Sequence, residues 1–297
     1  MYMLTRYREF PTGPQVIRQM LLLLLCCITL VACGDSDYTQ PARIRIAMIH
    51  FAPEPGRLNA NRLRIEQGTR LAAEKGANWI LTPELAVSGY AFEDVIGTDW
   101  IQTQPDVWMN SYASLIRTLG LTAFIGTPEK DPVTGKLHNS LVVIGRAGLV
   151  IGRHRKIVVI PGKLEGWSTP GGSPMPVQVG SLSVGMLLCA DAYPPDYAAV
   201  LKSRGAEFLV SGAAWFPGEM GPNGAWEDRS RETGLPLVVN NRTGTEPGMD
   251  FTSAESVVNQ NGKRVATYAS PLSAIILIDY LPQERIFDST TIQYLPF

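Results

Sequence analysis

Val184-Gly185-Met186-Leu187-Leu188-Cys189-Ala190-Asp191-Ala192-Tyr193-Pro194-Pro195-Asp196 joins an apolar run to a cysteine, an acid and a pair of prolines. The run is apolar enough for a central strand buried on both faces, and Pro194-Pro195 breaks any continuation. Cys189 therefore stands at a strand end, facing a helix N-terminus, where dipole and loop N–H groups give a thiol thiolate character. The plainer alternative is a buried structural thiol. Outward from this segment, strand-like runs recur at 44–49, 79–82, 121–126, 140–145, 149–153, 207–211, 236–240, 254–259 and 273–278. Helical spacing fills 59–75, 108–119, 194–203 and 226–233. The first of these places Leu63, Gln67, Leu71 and Ala72 on one side and stops at Gly76. Strand–helix–strand units, with a hairpin about Arg146-Ala147-Gly148, predict a layered α/β fold. Long Gly- and Pro-rich loops at 161–176 and 216–224 fall where such folds build their sites.

Composition narrows the function. A formal net charge of −1 and the lack of a Lys/Arg run give no electrostatic footprint for nucleic acid. With 45% hydrophobic and 18% charged residues the chain is globular, and the stretch from Pro41 is ample for one large domain. There is no Walker loop and no paired CxxC, and His50, His138 and His154 lack HExxH spacing. No metal and no cofactor is expected; a small-molecule substrate is.

The N-terminus reads as an export signal. Arg6, Arg8 and Arg18 precede the apolar run from Leu21 to Ala32, which has secretory length and is too short for a comfortable membrane span. Leu30-Val31-Ala32-Cys33-Gly34 resembles the lipobox of bacterial lipoproteins. That resemblance implies a signal peptide over 1–32, acylation at Cys33 and a polar tether over 33–41, which leaves 42–297 as the folded domain. It also implies a membrane-anchored protein facing the periplasm or cell surface. Gly34 directly after the cysteine leans toward the outer membrane. Removing the signal takes away Cys26 and Cys27, leaving Cys189 without an obvious disulfide partner.

Two charged residues sit, like Cys189, at the ends of apolar runs. Glu84 follows Ile80-Leu81-Thr82-Pro83, and taken alone it reads equally as a cap or a solvated loop acid. Lys156, two residues beyond His154 in an extended segment, shares a face with it and alone would read as a surface charge. A thiol, a carboxylate and an ammonium together make a nucleophilic site.

In combination these segments resemble the nitrilase, or carbon–nitrogen hydrolase, superfamily over nearly all of 43–280. The carriers are Pro83-Glu84 followed by Gly89-Tyr90, Asn139-Ser140, His154-Arg155-Lys156 with Glu165 and Pro170-Gly171, and Cys189-Ala190-Asp191 with Pro195-Asp196. Ala213-Ala214-Trp215, Arg229-Ser230-Arg231-Glu232 and Asn241-Arg242 extend the match. The resemblance implies a four-layer αββα sandwich and a Glu84, Lys156, Cys189 triad with Glu165 in support, acting on a linear amide without a cofactor. His50, Tyr193, Pro194 and Thr233 depart from the common pattern. Asp191 fits the amide-hydrolysing branches better than true nitrilases, which carry Trp-Glu there.

On this reading Glu84 takes the thiol proton, Lys156 and the Ala190 N–H stabilise the oxyanion, and Cys189 forms a thioester that water releases. Tyr193, Trp215, Trp167 and Phe216 are candidates for the walls of the substrate pocket. The resemblance also implies a homodimer or larger assembly. Three rivals remain at this point: an acyltransferase, a Cys189 pair with His154 or His138, and a lipid-anchored binding protein without turnover.

Overall fold

The structure, a computed structural model, describes residues 41–162 and 164–297. The expected signal peptide and Cys33 lie outside the described residues. Strand β1 (Ile44–His50) leads to helix α1 (Leu58–Glu74), β2 (Trp79–Leu81), the short α2 (Glu93–Ile96), α3 (Val107–Leu119), β3 (Thr122–Lys130), β4 (Leu137–Ile144) and β5 (Val150–Arg155). Then come β6 (Val177–Val179), β7 (Leu182–Leu188), a single 3-10 turn (Cys189–Ala192), α4 (Pro195–Ser203), β8 (Phe208–Ala213), α5 (Ala225–Thr233) and β9 (Leu237–Asn241). The chain closes with the small hairpin β10 (Thr245–Glu246) and β11 (Met249–Asp250), then β12 (Ser256–Gln260), β13 (Lys263–Tyr268), β14 (Ala274–Leu281) and β15 (Ile286–Pro296).

Two sheets carry the fold. A seven-stranded sheet runs β15-β14-β1-β2-β3-β4-β5, parallel from β1 to β3 and antiparallel elsewhere. A six-stranded sheet runs β13-β12-β9-β8-β7-β6, parallel from β7 to β9. The period-2 alternation of each strand divides its side chains between two apolar layers. Ile46 and Met48 of β1 face Met186 and Leu188 of β7 and Val210 of β8 across the inter-sheet core. Ala47 and Ile49 face outward onto Ile65 of α1 and Met109, Tyr112 and Ile116 of α3. Leu187, Leu209 and Val239 likewise meet Ala198 and Leu201 of α4 and Trp226 of α5. Helix, sheet, sheet, helix is the four-layer sandwich expected.

The elements correct two details. The buried face of α1 is Asn61, Ile65, Gly68, Thr69 and Ala72, and Leu63 is exposed. Small residues win that face because the helix lies close on β1: a Cβ on Gly68 would come within 3.0 Å of Ile49. The short strand β6 and the edge strands β13 and β15 were not expected. β6 is only three residues long, and β13 and β15 are edges whose charged and polar residues face water.

Candidate active site

The parallel strands of both sheets deliver their C-terminal ends to one region, where the inter-sheet core gives way to charge. Glu84 sits in the turn after β2, wedged between the sheets by two glycines. A Cβ on Gly126 of β3 would meet the Pro83 carbonyl oxygen at 2.1 Å and Glu84 Cα at 3.0 Å, and one on Gly212 of β8 would meet Glu84 N at 3.1 Å. At Gly126 only a residue without a Cβ lets the turn enter, and at Gly212 a Cβ would crowd it. Thr82 Oγ1 accepts from the Gly126 N–H at 2.9 Å and ties the turn to β3.

Lys156 follows β5, its N–H donating to the Asn139 carbonyl at 2.8 Å. Its ammonium is fully enclosed and donates to Glu84 Oε1 at 2.7 Å and to Glu165 Oε1 and Oε2 at 2.7 and 2.8 Å. Glu165 arrives from the loop after β5, which its own Oε2 pins by accepting from the Ile160 N–H at 2.7 Å. Asn139 Nδ2 donates to both carboxylates, to Glu84 at 2.8 Å and Glu165 at 2.7 Å. Glu84 Oε2 accepts from the Ala214 N–H at 3.0 Å.

Cys189 begins the 3-10 turn after β7 with φ +49°, a left-handed conformation rare outside glycine. Its Sγ donates to the Ala214 carbonyl at 3.9 Å, and Ala214 is the residue whose N–H holds Glu84. Leu85, next to Glu84, is also left-handed at φ +50°. Backbone strain thus falls beside both the thiol and the carboxylate.

Electrostatics assigns the resting protonation states. Burial pushes the Glu84 carboxyl up, Lys156 opposes this, and the balance lies at about 6. Burial works against the Lys156 charge, but Glu84, Tyr90, Cys189 and Glu165 outweigh it and hold the ammonium protonated. Burial first, and Glu84 second, push the Cys189 thiol well above its ordinary value. The expected thiolate character is therefore corrected: the thiol rests protonated, because enclosure and the Glu84 carboxylate outweigh the Lys156 ammonium. A thiol in this state must lose its proton before it can act as a nucleophile.

The four charged and nucleophilic residues singled out in the sequence come together. The wall residues divide into two groups. Trp215 packs with Cys189 and meets Tyr193 edge-to-face at 4.7 Å; Tyr193 Oη donates to the Gly221 carbonyl at 2.6 Å. Trp167 belongs to a separate cluster with Tyr90, Phe92, Ala214 and Phe216, meeting Phe92 at 4.9 Å. Neither histidine considered as a base hydrogen-bonds to Cys189 among the described residues. His154 Nε2 donates to Asp191 Oδ2 at 2.7 Å, and His138 Nδ1 donates to the Thr169 carbonyl at 2.8 Å.

Sequence reasoning passed over Asn139 as a member of the site, although Asn139-Ser140 had been noticed as a motif. It also missed Glu246, which accepts from the Tyr90 and Ala91 N–H groups at 3.0 and 2.6 Å and is paired with the buried Arg242. An acid in a two-residue hairpin strand carries no sequence signal of that role. No group of three or more His, Cys, Asp or Glu among the described residues is arranged to hold a metal ion.

The carbon–nitrogen hydrolase family matches residues 45–284 of the chain. The glutamine-dependent NAD(+) synthetase of Xylella fastidiosa is 28% identical over 255 residues, covering 82% of this chain and 46% of that protein. The chain thus spans about half the length of the curated relatives it matches first. The nitrilase of Pyrococcus abyssi is 28% identical over 211 residues, 70% of this chain and 78% of that one. Among solved structures, an amidase from Nesterenkonia sp. superposes with a TM-score of 0.71 at 21% identity, over 83% of this chain and 94% of that chain. At that identity the superposition establishes a shared fold.

Proposed function

The chain belongs to the carbon–nitrogen hydrolase family, and on that premise we propose that it hydrolyses a small linear amide through a thioester on Cys189. The observation that carries this reading is the enclosed Lys156 ammonium bonded to Glu84 and Glu165, with the Cys189 thiol against the same Ala214 peptide that holds Glu84.

Glu84 takes the thiol proton as Sγ attacks the amide carbon, and the carbonyl oxygen becomes negative. Lys156 meets that charge. Its Nζ spends two contacts on Glu165, so one can pass to the oxyanion while the ammonium stays paired. The Ala190 N–H, at the start of the 3-10 turn where N–H groups lack helical partners, is the second donor. Collapse breaks the C–N bond, and the amine leaves with the proton from Glu84. Water then attacks the thioester, giving its proton to Glu84; the acid departs and the proton returns to Cys189. Rapid quenching followed by intact mass tests this. An acyl adduct confined to Cys189 is expected, and its absence with every amide that is turned over would overturn the covalent route. Added amine that diverts the adduct into a new amide, in place of acid, would mark an acyltransferase.

The same reading includes acylation of Cys33 as a bacterial lipoprotein at the periplasmic or outer cell surface, and assembly as a homodimer or larger homo-oligomer. On this reading attachment to the membrane is through the lipid at Cys33; no helix among the described residues is long and apolar enough to cross a membrane. Intact mass of detergent-extracted protein tests it: a mature chain lacking acyl mass at Cys33 counts against the anchor.

A further inference from the structure

Asp191 lies two residues beyond Cys189 and is fully enclosed. Its Oδ2 accepts from His154 Nε2 at 2.7 Å and from the Leu188 N–H at 3.0 Å. Its Oδ1 accepts from the Ile157 N–H at 2.9 Å and the Val158 N–H at 2.7 Å. Leu188 immediately precedes Cys189, Ile157 and Val158 immediately follow Lys156, and His154 stands two residues before Lys156. One carboxylate is thus bonded on both sides of Lys156 and to the backbone before Cys189. It joins the end of β5 in the seven-stranded sheet to the end of β7 in the six-stranded sheet.

Enclosing a carboxylate is unfavourable, and packing alone is served as well by an apolar residue. What an apolar residue cannot do is hold four N–H groups at fixed positions around one point. Burial works against the Asp191 charge, yet the bond and field of His154, the Val158 N–H and Lys156 outweigh it and hold the carboxyl below the usual carboxylate range. The bonds have a clear beneficiary, because Cys189 is held at φ +49° and such a conformation persists only when its surroundings over-determine it.

We infer that Asp191 is a positioning residue that sets Cys189 against Lys156 across the two sheets, and that His154 fixes the Asp191 carboxylate for this purpose. The inference rests on the proposed role of Cys189 as nucleophile. It gives His154 a place in the site other than that of a base.

Asp191→Asn, His154→Ala and His154→Gln, made in the full chain, test it. Asparagine keeps the shape of the side chain, but its NH2 meets the Ile157 and Val158 N–H groups when turned one way and the Leu188 N–H when turned the other, so at least one backbone donor loses its acceptor. Glutamine at 154 returns an N–H donor at nearly the reach of Nε2; alanine does not. Three quantities are measured: kcat and KM on an amide, the rate of Cys189 alkylation by iodoacetamide followed by peptide mass, and the thermal midpoint. A displacement of about 1 Å costs on the order of 100-fold in rate, so kcat falls by about 30-fold or more in Asp191→Asn and His154→Ala while KM stays within about threefold. Alkylation of Cys189 slows by about tenfold on the same ground, and His154→Gln recovers both rates to within about threefold of the unmodified protein.

Unchanged kcat and alkylation rates per folded molecule in Asp191→Asn and His154→Ala, with only the thermal midpoint lowered, would show a purely structural group and overturn the inference. His154→Gln as impaired as His154→Ala would remove the part assigned to His154. Should Asp191→Asn not fold, the comparison of alanine with glutamine at 154 decides. Alkylation needs no substrate: an unmodified protein inert to amides refutes the proposed hydrolysis, and the alkylation rates still decide the positioning role.

Discussion

Glu165→Gln removes one of two negative charges that share Lys156, and the consequence can be worked from distances. Glu84 Oε1 and Glu165 Oε1 both stand 2.7 Å from the same Nζ. Their separation is therefore at most about 5.4 Å, and two unit charges about 5 Å apart in a medium of effective dielectric about 20 repel by about 3 kcal/mol. That is about 2 pH units on Glu84, before the surroundings relax. Glu165 is among the groups that raise the Glu84 carboxyl to about 6. With that repulsion gone, the charged form of Glu84 is favoured and persists to lower pH. The acid limb of kcat/KM, which reports the base of the free enzyme, moves from near 6 down by about 1 to 2 units. The profile is recorded at constant ionic strength from about pH 4 to 8, with circular dichroism confirming the fold across the range. The absolute rate falls as well, since Lys156 loses a partner, but the midpoint does not depend on the height of the curve. A midpoint that stays near 6 or rises would refute the electrostatic reasoning.

The remaining predictions concern the same machinery. Glu84→Gln removes the base and lowers kcat by about 10²- to 10⁴-fold in steady-state assays of protein shown to be folded by circular dichroism. Asn139→Ala takes away the N–H shared by both carboxylates. Charge-assisted bonds of about 1.5 to 3 kcal/mol favour the ionised form, so losing one moves the acid limb upward by about 1 unit in the same pH profile. Gly126→Ala places a methyl where the Pro83 carbonyl stands. Overpacking of this kind costs about 1 to 3 kcal/mol in urea unfolding, and the displaced Glu84 turn lowers turnover beyond what unfolding explains. Light scattering at micromolar concentration is expected to give at least the mass of a dimer, and a monomer there counts against the proposed assembly.

The layered α/β class was legible because apolar runs of strand length and helix-period segments alternate along the chain; the four-layer order came only with the family resemblance. The inter-sheet and helix-facing sides of β1 separate as Ile46 and Met48 against Ala47 and Ile49. Glu84, Lys156 and Cys189 were legible as strand-end residues, and Glu165 entered only through the family resemblance. Other features arise only when distant segments meet. Asn139 reaches two carboxylates that come from different loops, and Gly126 and Gly212 are demanded by a turn belonging to a third segment. The protonation state of Cys189 also escaped, since a strand-end position says nothing of how completely Sγ is enclosed. The face of α1 was misjudged at Leu63 because helical spacing admits neighbouring arcs, and close approach to β1 selects the one carrying Gly68.

The central claim is most directly tested by release of ammonia or amine from a panel of small amides, ureas, carbamoyl compounds and nitriles, run beside Cys189→Ala. Glutamine belongs in the panel, since several relatives are glutamine-dependent synthetases. The account predicts that at least one linear amide yields amine and acid in equal amounts, and that Cys189→Ala abolishes both. Turnover undiminished in Cys189→Ala, or none with any member of the panel and no acyl adduct on Cys189, would contradict it.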